Sequence, residues 1–297
     1  MILGYTFAFI SSIFFTCYVV PKKISKQNPI NYSLFMGIGF FITAIIIFTI
    51  NKATVYNDKE TLLNPILILS GIGGILWLIG SIFFLTAIDK IGLSRSNQWK
   101  NLQGPVGSLL ILIFLSEFLE TSAIYIVLAI ISILISAILF TVKNKEEKII
   151  DKKGIIYAVL SALFFGINAL IQKYATNNGL IYSQQVYFSG MVFVSALIYI
   201  AIKDKNIKVL KEIKRKDNLL GILGGIIYYF ASFSSTLAYK YIPGSIAFTI
   251  VQLNAVWTVL VGILIFKEIN FKENWMRIIT GIIFAIMGVV MLLMAQN

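Results

Sequence analysis

The sequence predicts an all-α integral membrane protein: ten transmembrane helices arranged as two inverted five-helix repeats. Three observations predict it. The 297-residue chain is 58% hydrophobic and only 13% charged, whereas soluble domains carry roughly 25% charged residues. The apolar residues, which set a mean hydropathy of +0.88, gather into blocks, most of them near the ~20 residues that cross a bilayer as a helix. The first half of the chain also recurs in the second. Gly4, Ala8, Ser11, Phe14, Phe15, Lys23, Tyr32 and Ser33 return 150 residues later as Gly154, Ala158, Ser161, Phe164, Phe165, Lys173, Tyr182 and Ser183. After a one-residue slip, Gly73, Gly74, Ile75, Ser81, Ala87, Ser94, Leu102 and Glu117 match Gly224, Gly225, Ile226, Ser232, Ala238, Ser245, Leu253 and Glu268 at an offset of 151. Five is odd, so the second copy enters the membrane from the opposite side. That is the architecture of an alternating-access carrier.

The first span is read over 2–20. It starts without a basic leader, so no cleavable signal peptide is expected. Its Cys17 is the only cysteine, which rules out a disulfide framework and reads as a packed membrane thiol. The second and third spans are read over 32–50 and 65–87, the fourth over 94–115 and the fifth over 122–142. A charged linker, 143–153, separates this repeat (1–142) from the second (154–297), whose spans are read over 154–174, 182–202, 218–239, 244–266 and 276–295. Gly73-Gly74 in span three and Gly224-Gly225 in span eight permit close helix approach, as packing or hinge points. The linker and 203–217 read as solvated surface loops.

Charge tests the inversion independently. Lys and Arg number 25 against 13 acids and lie almost wholly in the short loops, an orientation signal rather than a nucleic-acid footprint. Loop 1–2 holds Lys22, Lys23 and Lys26, while its counterpart, loop 6–7, holds Lys173 alone. Loop 4–5 holds none, while loop 9–10 holds Lys267, Lys272 and Arg277. The bias reverses in all four loop pairs, and one face collects 20 of these charges against 4 on the other. Positive charge stays in the cytoplasm, so both termini are expected outside a multi-pass plasma-membrane protein.

The stretch Trp257–Leu293 (WTVLVGILIFKEINFKENWMRIITGIIFAIMGVVMLL) resembles the drug/metabolite transporter superfamily, the ten-helix, EamA-like proteins. There an apolar helix ends in an acid, Glu268, before a Gly-containing helix, and Glu117 holds the same place in the first half. Leu76–Ser96 (LWLIGSIFFLTAIDKIGLSRS) is similar to the glucose/ribose porter branch, while Asn97–Gly107 (NQWKNLQGPVG) departs from the segment of its glucose-uptake members. The resemblance covers essentially the whole chain and implies sugar uptake, coupled to protons.

The most unusual segment is that same run in span four. Polar groups at membrane depth are costly unless they face protein or a water-filled cavity. Asn97, Lys100, Asn101, Gly104 and Ser108 fall on one helical stripe, and Pro105 cannot donate to the carbonyl of Asn101, which is expected to stay free. Amides both donate and accept, which suits hydroxyl-rich substrates; interhelical hydrogen bonding is the alternative. Lys100 either snorkels to the basic surface or lines the cavity, where it repels cations and attracts carboxylate or phosphate. In span nine Gln252 aligns with Asn101 and Asn254 with Gln103, so both halves offer amides at matched depth. The candidate substrate ligands are therefore Asn97, Lys100, Asn101, Gln103, Gln252 and Asn254. Trp99 and Trp257 are candidate stacking surfaces for a sugar face, Trp77 with Tyr228 a further pair of this kind, and Asn168 with Gln172 in span six a further wall.

The chain has no histidine, and no Asp or Glu falls in the middle of a span. The residues thus offer no metal or cofactor site, no catalytic constellation and no obvious proton relay, which leaves a coupling ion open. Glu117 and Glu268 read as structural residues near water. The expected partners are a small-molecule substrate and the lipid bilayer, with no nucleic acid, in a monomer or homodimer. A small neutral polyol, most simply a sugar, is the leading substrate class. A small anionic or zwitterionic metabolite (an amino acid, organic acid or sugar phosphate) with Lys100 as counter-charge is the alternative.

Overall fold

The computed structural model describes residues 1–54, 60–119, 121–139, 151–204, 210, 213–267 and 271–295. Among them the chain is entirely helical, without strands. Eight helical segments are long and apolar enough to cross a membrane, and Gln103–Phe114 and Ala123–Ser136 are shorter apolar helices. Glu268 and most of the linker lie outside the described residues.

The first half comprises α1 (Ile2–Cys17), the short α2 (Val20–Ile24), α3 (Pro29–Thr54), α4 (Leu67–Ile91), α5 (Leu93–Lys100), α6 (Gln103–Phe114) and α7 (Ala123–Leu139). The second comprises α8 (Lys152–Asn177), α9 (Tyr182–Asp204), α10 (Lys216–Tyr241), α11 (Gly244–Val251), α12 (Asn254–Leu264) and α13 (Phe271–Met294). Span four therefore differs from the expected continuous helix: it breaks at Asn101-Leu102 into α5 and α6. Span nine breaks at the equivalent place, Gln252-Leu253, into α11 and α12. Pro105 does not explain both breaks, because the residue equivalent to it is Val256.

Packing follows small residues. A Cβ on Gly225 would lie 2.0 Å from the carbonyl oxygen of Met36, and one on Gly74 2.3 Å from that of Phe188, so α10 meets α3, and α4 meets α9, backbone to backbone. Some equivalent positions make equivalent contacts. Gly4 abuts Tyr241 and Ile242 as Gly154 abuts Lys90 and Ile91, whereas Gly73 faces the Asn168 side chain and Gly224 the Tyr32 hydroxyl and the Tyr18 carbonyl. At helix level α4 packs on α8 and α10 on α1, while α7 packs on α13 and α3 on α9.

Three lysines read as loop charges sit differently. Lys22 lies in α2, 3% exposed, and pairs with Asp89 at 2.8 Å. Lys173 lies inside α8, buried, its chain folded under α11, where a Cβ on Gly244 would meet its methylenes at 2.8 Å. Lys90 extends from α4 to Asp151 at 3.1 Å, the residue whose side chain also caps α8 by accepting from the Lys153 N–H.

Candidate functional site

The two helix breaks meet at the centre of the molecule. Gln103, the first residue of α6, donates from Nε2 to Oε1 of Gln252 at 3.1 Å, and Gln252 in turn donates to the Phe248 carbonyl at 3.0 Å. A Cβ on Gly104 would lie 2.5 Å from Cγ of Gln252, so glycine is what lets this amide cross between the helices. Asn97 donates to Oδ1 of Asn254 at 3.1 Å and to the Thr258 hydroxyl at 3.0 Å. Thr16 of α1 joins them, donating to the Asn254 carbonyl at 3.0 Å. One turn further along α6, Ser108 and Thr249 share a hydrogen bond of 2.7 Å.

Beside these amides lies a narrow cavity of about 30 Å³. Of the sequence candidates, Trp77, Lys100, Gln103, Asn168, Gln172 and Tyr228 line it. Trp77 and Tyr228, equivalent positions of the two halves, pack against each other with ring centroids 4.5 Å apart and planes inclined at 57°. Lys100 is only 2% exposed, so it does not snorkel. Its ammonium rests 5.1 Å above the Phe84 ring, and no carboxylate pairs with it among the described residues. Asn168 presents an Oδ1 without a hydrogen-bond partner among those residues. A tilted aromatic pair in one lining with donors and a free acceptor offers both apolar and polar surface to a small molecule for which the cavity widens.

The other candidates are placed differently. Gln252, Asn97 and Asn254 are buried just behind the cavity wall and bonded to one another's helices. Asn101 is 2% exposed, and neither its Nδ2 nor its Oδ1 has a partner among the described residues. Its backbone carbonyl is not free as expected: it accepts from Gly104 N at 2.9 Å, because the chain tightens at the break and supplies a donor that Pro105 lacks. Trp257 turns away from the cavity. Its Nε1 donates to Ser12 at 2.9 Å, and its ring stands edge-on to Phe9 at 5.5 Å. Trp99 is half-buried and not part of the lining.

Sequence reasoning missed Tyr18, Tyr239, Ser235 and Phe248 as wall residues. Tyr18 was detectable, since it is the repeat equivalent of Asn168. Tyr239 lines both this cavity and a second, more open hollow of about 500 Å³ whose wall includes Glu117, Lys173, Thr176 and Lys240. There Glu117 is buried, not near water as expected. It accepts from Gly244 N at 2.6 Å, Ser245 N at 2.9 Å and Ser245 Oγ at 2.6 Å, capping α11. Lys173 stands 3.6 Å from the same carboxylate and donates to the Tyr239 carbonyl at 2.8 Å. Glu60 does the same for α9, accepting from the N–H groups of Ile181, Tyr182 and Ser183.

A multi-pass helical membrane protein with a buried polar and aromatic cavity beside two broken helices has an architecture suited to transport, and its family shows it to be a transport protein rather than an enzyme. The chain belongs to the family described as Sugar transport protein, whose model matches residues 58–295. It is 27% identical over 236 residues to a protein of Priestia megaterium named for glucose uptake, covering 76% of this chain and 78% of that one. It is 25% identical over 274 residues to a protein of Lactobacillus helveticus named for sugar uptake, covering 91% and 92%. A solved crystal structure at 13% identity superposes with a TM-score of 0.70 over 99% of this chain and 96% of that chain, which establishes a shared fold alone.

Proposed function

We propose that this protein is a secondary carrier that brings a small neutral sugar across the plasma membrane by alternating access. In this reading 1–142 and 154–297 are inverted five-helix repeats of the drug/metabolite transporter kind, joined by the linker 143–153, with both termini outside. The paired contacts of Gly4 and Gly154 support the repeat. The observation that carries the function is the central cavity. It sets the Trp77–Tyr228 aromatic wall against the side chains of Gln103, Asn168 and Gln172 at the level where both helix pairs break. Discontinuous helices meeting at mid-membrane are where carriers of this architecture bind substrate. The sugar assignment draws on the names of the Priestia and Lactobacillus relatives.

One observation favours a second reading. Lys100 places a buried cation on the cavity wall with no carboxylate beside it among the described residues, and burying an uncompensated charge is costly. An anionic or zwitterionic metabolite would supply the missing partner. Ligand-induced thermal stabilisation of the purified protein separates the readings, since a ligand that binds the folded state alone stabilises it by mass action. D-glucose and related neutral sugars should raise the midpoint in both wild type and Lys100→Met. Stabilisation by sugar phosphates or amino acids alone, lost in Lys100→Met, would establish the second reading in place of the first.

A further inference from the structure

We infer that Asn101 is a positioning residue of the transport cycle: in the opposite-facing state it takes Asn254 as its hydrogen-bond partner. The inference rests on the inverted-repeat reading above. An offset of 151 maps Gln103 onto Asn254 and Asn101 onto Gln252. The bond from Gln103 to Gln252, 3.1 Å here, therefore has a mirror image, Asn254 to Asn101. That mirror bond is not made in this state. Asn254 is held by Asn97 instead, and both polar atoms of the Asn101 side chain are buried without a partner among the described residues.

Two repeats of opposite direction interconvert their facing by exchanging conformations, so a contact made by one copy in one state is made by the other copy in the next. Exchange would give Asn101 the partner it lacks. The distance is small and discrete. Asn97 and Asn101 are one turn apart on the same face, with Asn101 N donating to the Asn97 carbonyl at 2.9 Å. Asn254 would move from one to the other by a single helical step of about 5.4 Å.

The exchange is not between identical nests. Around Asn254 sit Asn97, Thr258 and Thr16. Their equivalents are Phe248, Gly107 and Gly166, and these also meet one another: a Cβ on Gly107 would lie 2.3 Å from the Phe248 ring and 3.3 Å from Gly166 Cα. One copy of the arrangement is polar and the other apolar. The polar nest holds Asn254 in the present state, and Asn101 receives it in the other.

The test uses paired cysteines in full-length protein with Cys17→Ser, closed by mild oxidation, since a disulfide forms only when the two Cα atoms come within about 7 Å. One pair is Gln103→Cys with Gln252→Cys, the other Asn101→Cys with Asn254→Cys. Both should close. Hydrogen exchange of the trapped proteins should then differ in opposite directions at the two ends of the cavity. The 101–254 form should exchange at least tenfold more slowly around Tyr239–Ile242 and at least tenfold faster around Val20–Ile24 than the 103–252 form. Closure of the 103–252 pair without the 101–254 pair would overturn the inference, as would two trapped forms with the same exchange pattern. Single cysteines at Lys90 and Lys240, labelled with an impermeant thiol reagent, test the repeat separately. They must label from opposite sides of the membrane. Labelling from one side would overturn the repeat reading itself and the inference with it, whereas opposite labelling with no 101–254 disulfide defeats the inference alone.

Discussion

Replacing Glu117 with alanine should destabilise the protein by about 3–5 kcal/mol, the range for removing one partner of a buried ion pair. The size follows from what the carboxylate holds. It is 6% exposed and accepts three hydrogen bonds at the start of α11, two from backbone N–H groups and one from the Ser245 hydroxyl. Loss of a helix cap alone costs about 0.5–2 kcal/mol. The variant also takes the carboxylate away from the Lys173 ammonium, itself 6% exposed, which donates to the carbonyls of Tyr239 and Ile242. Glu117→Gln keeps one acceptor for the cap and loses the charge, so it should cost less, about 1–3 kcal/mol. Reversible unfolding in mixed micelles, with wild type, both variants and Lys173→Met, measures this. The double variant Glu117→Gln/Lys173→Met should cost less than the sum of its single changes, because it leaves no charge unpaired. A Glu117→Ala cost below about 1 kcal/mol would refute the reasoning, since the carboxylate would then behave like one end of a solvent-exposed pair.

Gly225→Ala should disrupt the junction of α10 with α3, where the new methyl meets the Met36 carbonyl at 2.0 Å; a loss of about 1–3 kcal/mol or more is expected, read from the same unfolding assay. Trp257→Phe should cost about 1 kcal/mol through the lost bond to Ser12 and leave ligand-induced stabilisation unchanged, whereas Trp77→Phe should weaken it. The Lys90 ammonium and the Lys153 N–H hold the Asp151 carboxyl below the usual carboxylate range. A depressed folded-state pKa gives stability that is present above the unfolded value and lost as pH falls through the folded one. The difference in unfolding midpoint between wild type and Asp151→Asn should therefore be small at neutral pH and vanish in acid.

The long apolar helices were legible because apolar blocks of membrane length leave direct marks on a sequence. The predicted 65–87 and 218–239 became Leu67–Ile91 and Lys216–Tyr241. The breaks at Asn101 and Gln252 were not legible as breaks. Proline marks only one of them, while the other arises where backbone donors shift to nearer carbonyls, as Ala255 N does to Gln252 O at 3.0 Å. Polar composition singled out span four, but could not say which amides line the cavity and which bond to each other. Asn97 and Gln103 differ in that respect although both are buried. Trp257 illustrates the converse: an indole at a matched depth is satisfied by Ser12, a residue whose sequence gives no sign of the pairing. Lys22 and Lys173 looked like loop charges because hydropathy reports the residue type, whereas their partners, Asp89 and Glu117, are far away in the chain.

The most direct test of the carrier reading is exchange of radiolabelled D-glucose into proteoliposomes preloaded with unlabelled D-glucose, beside empty vesicles and vesicles holding Trp77→Ala. The account predicts saturable uptake that exceeds the empty control, discriminates against L-glucose and falls at least tenfold in Trp77→Ala. Equal signals from wild-type and empty vesicles across D-glucose and other neutral hexoses and pentoses would contradict it.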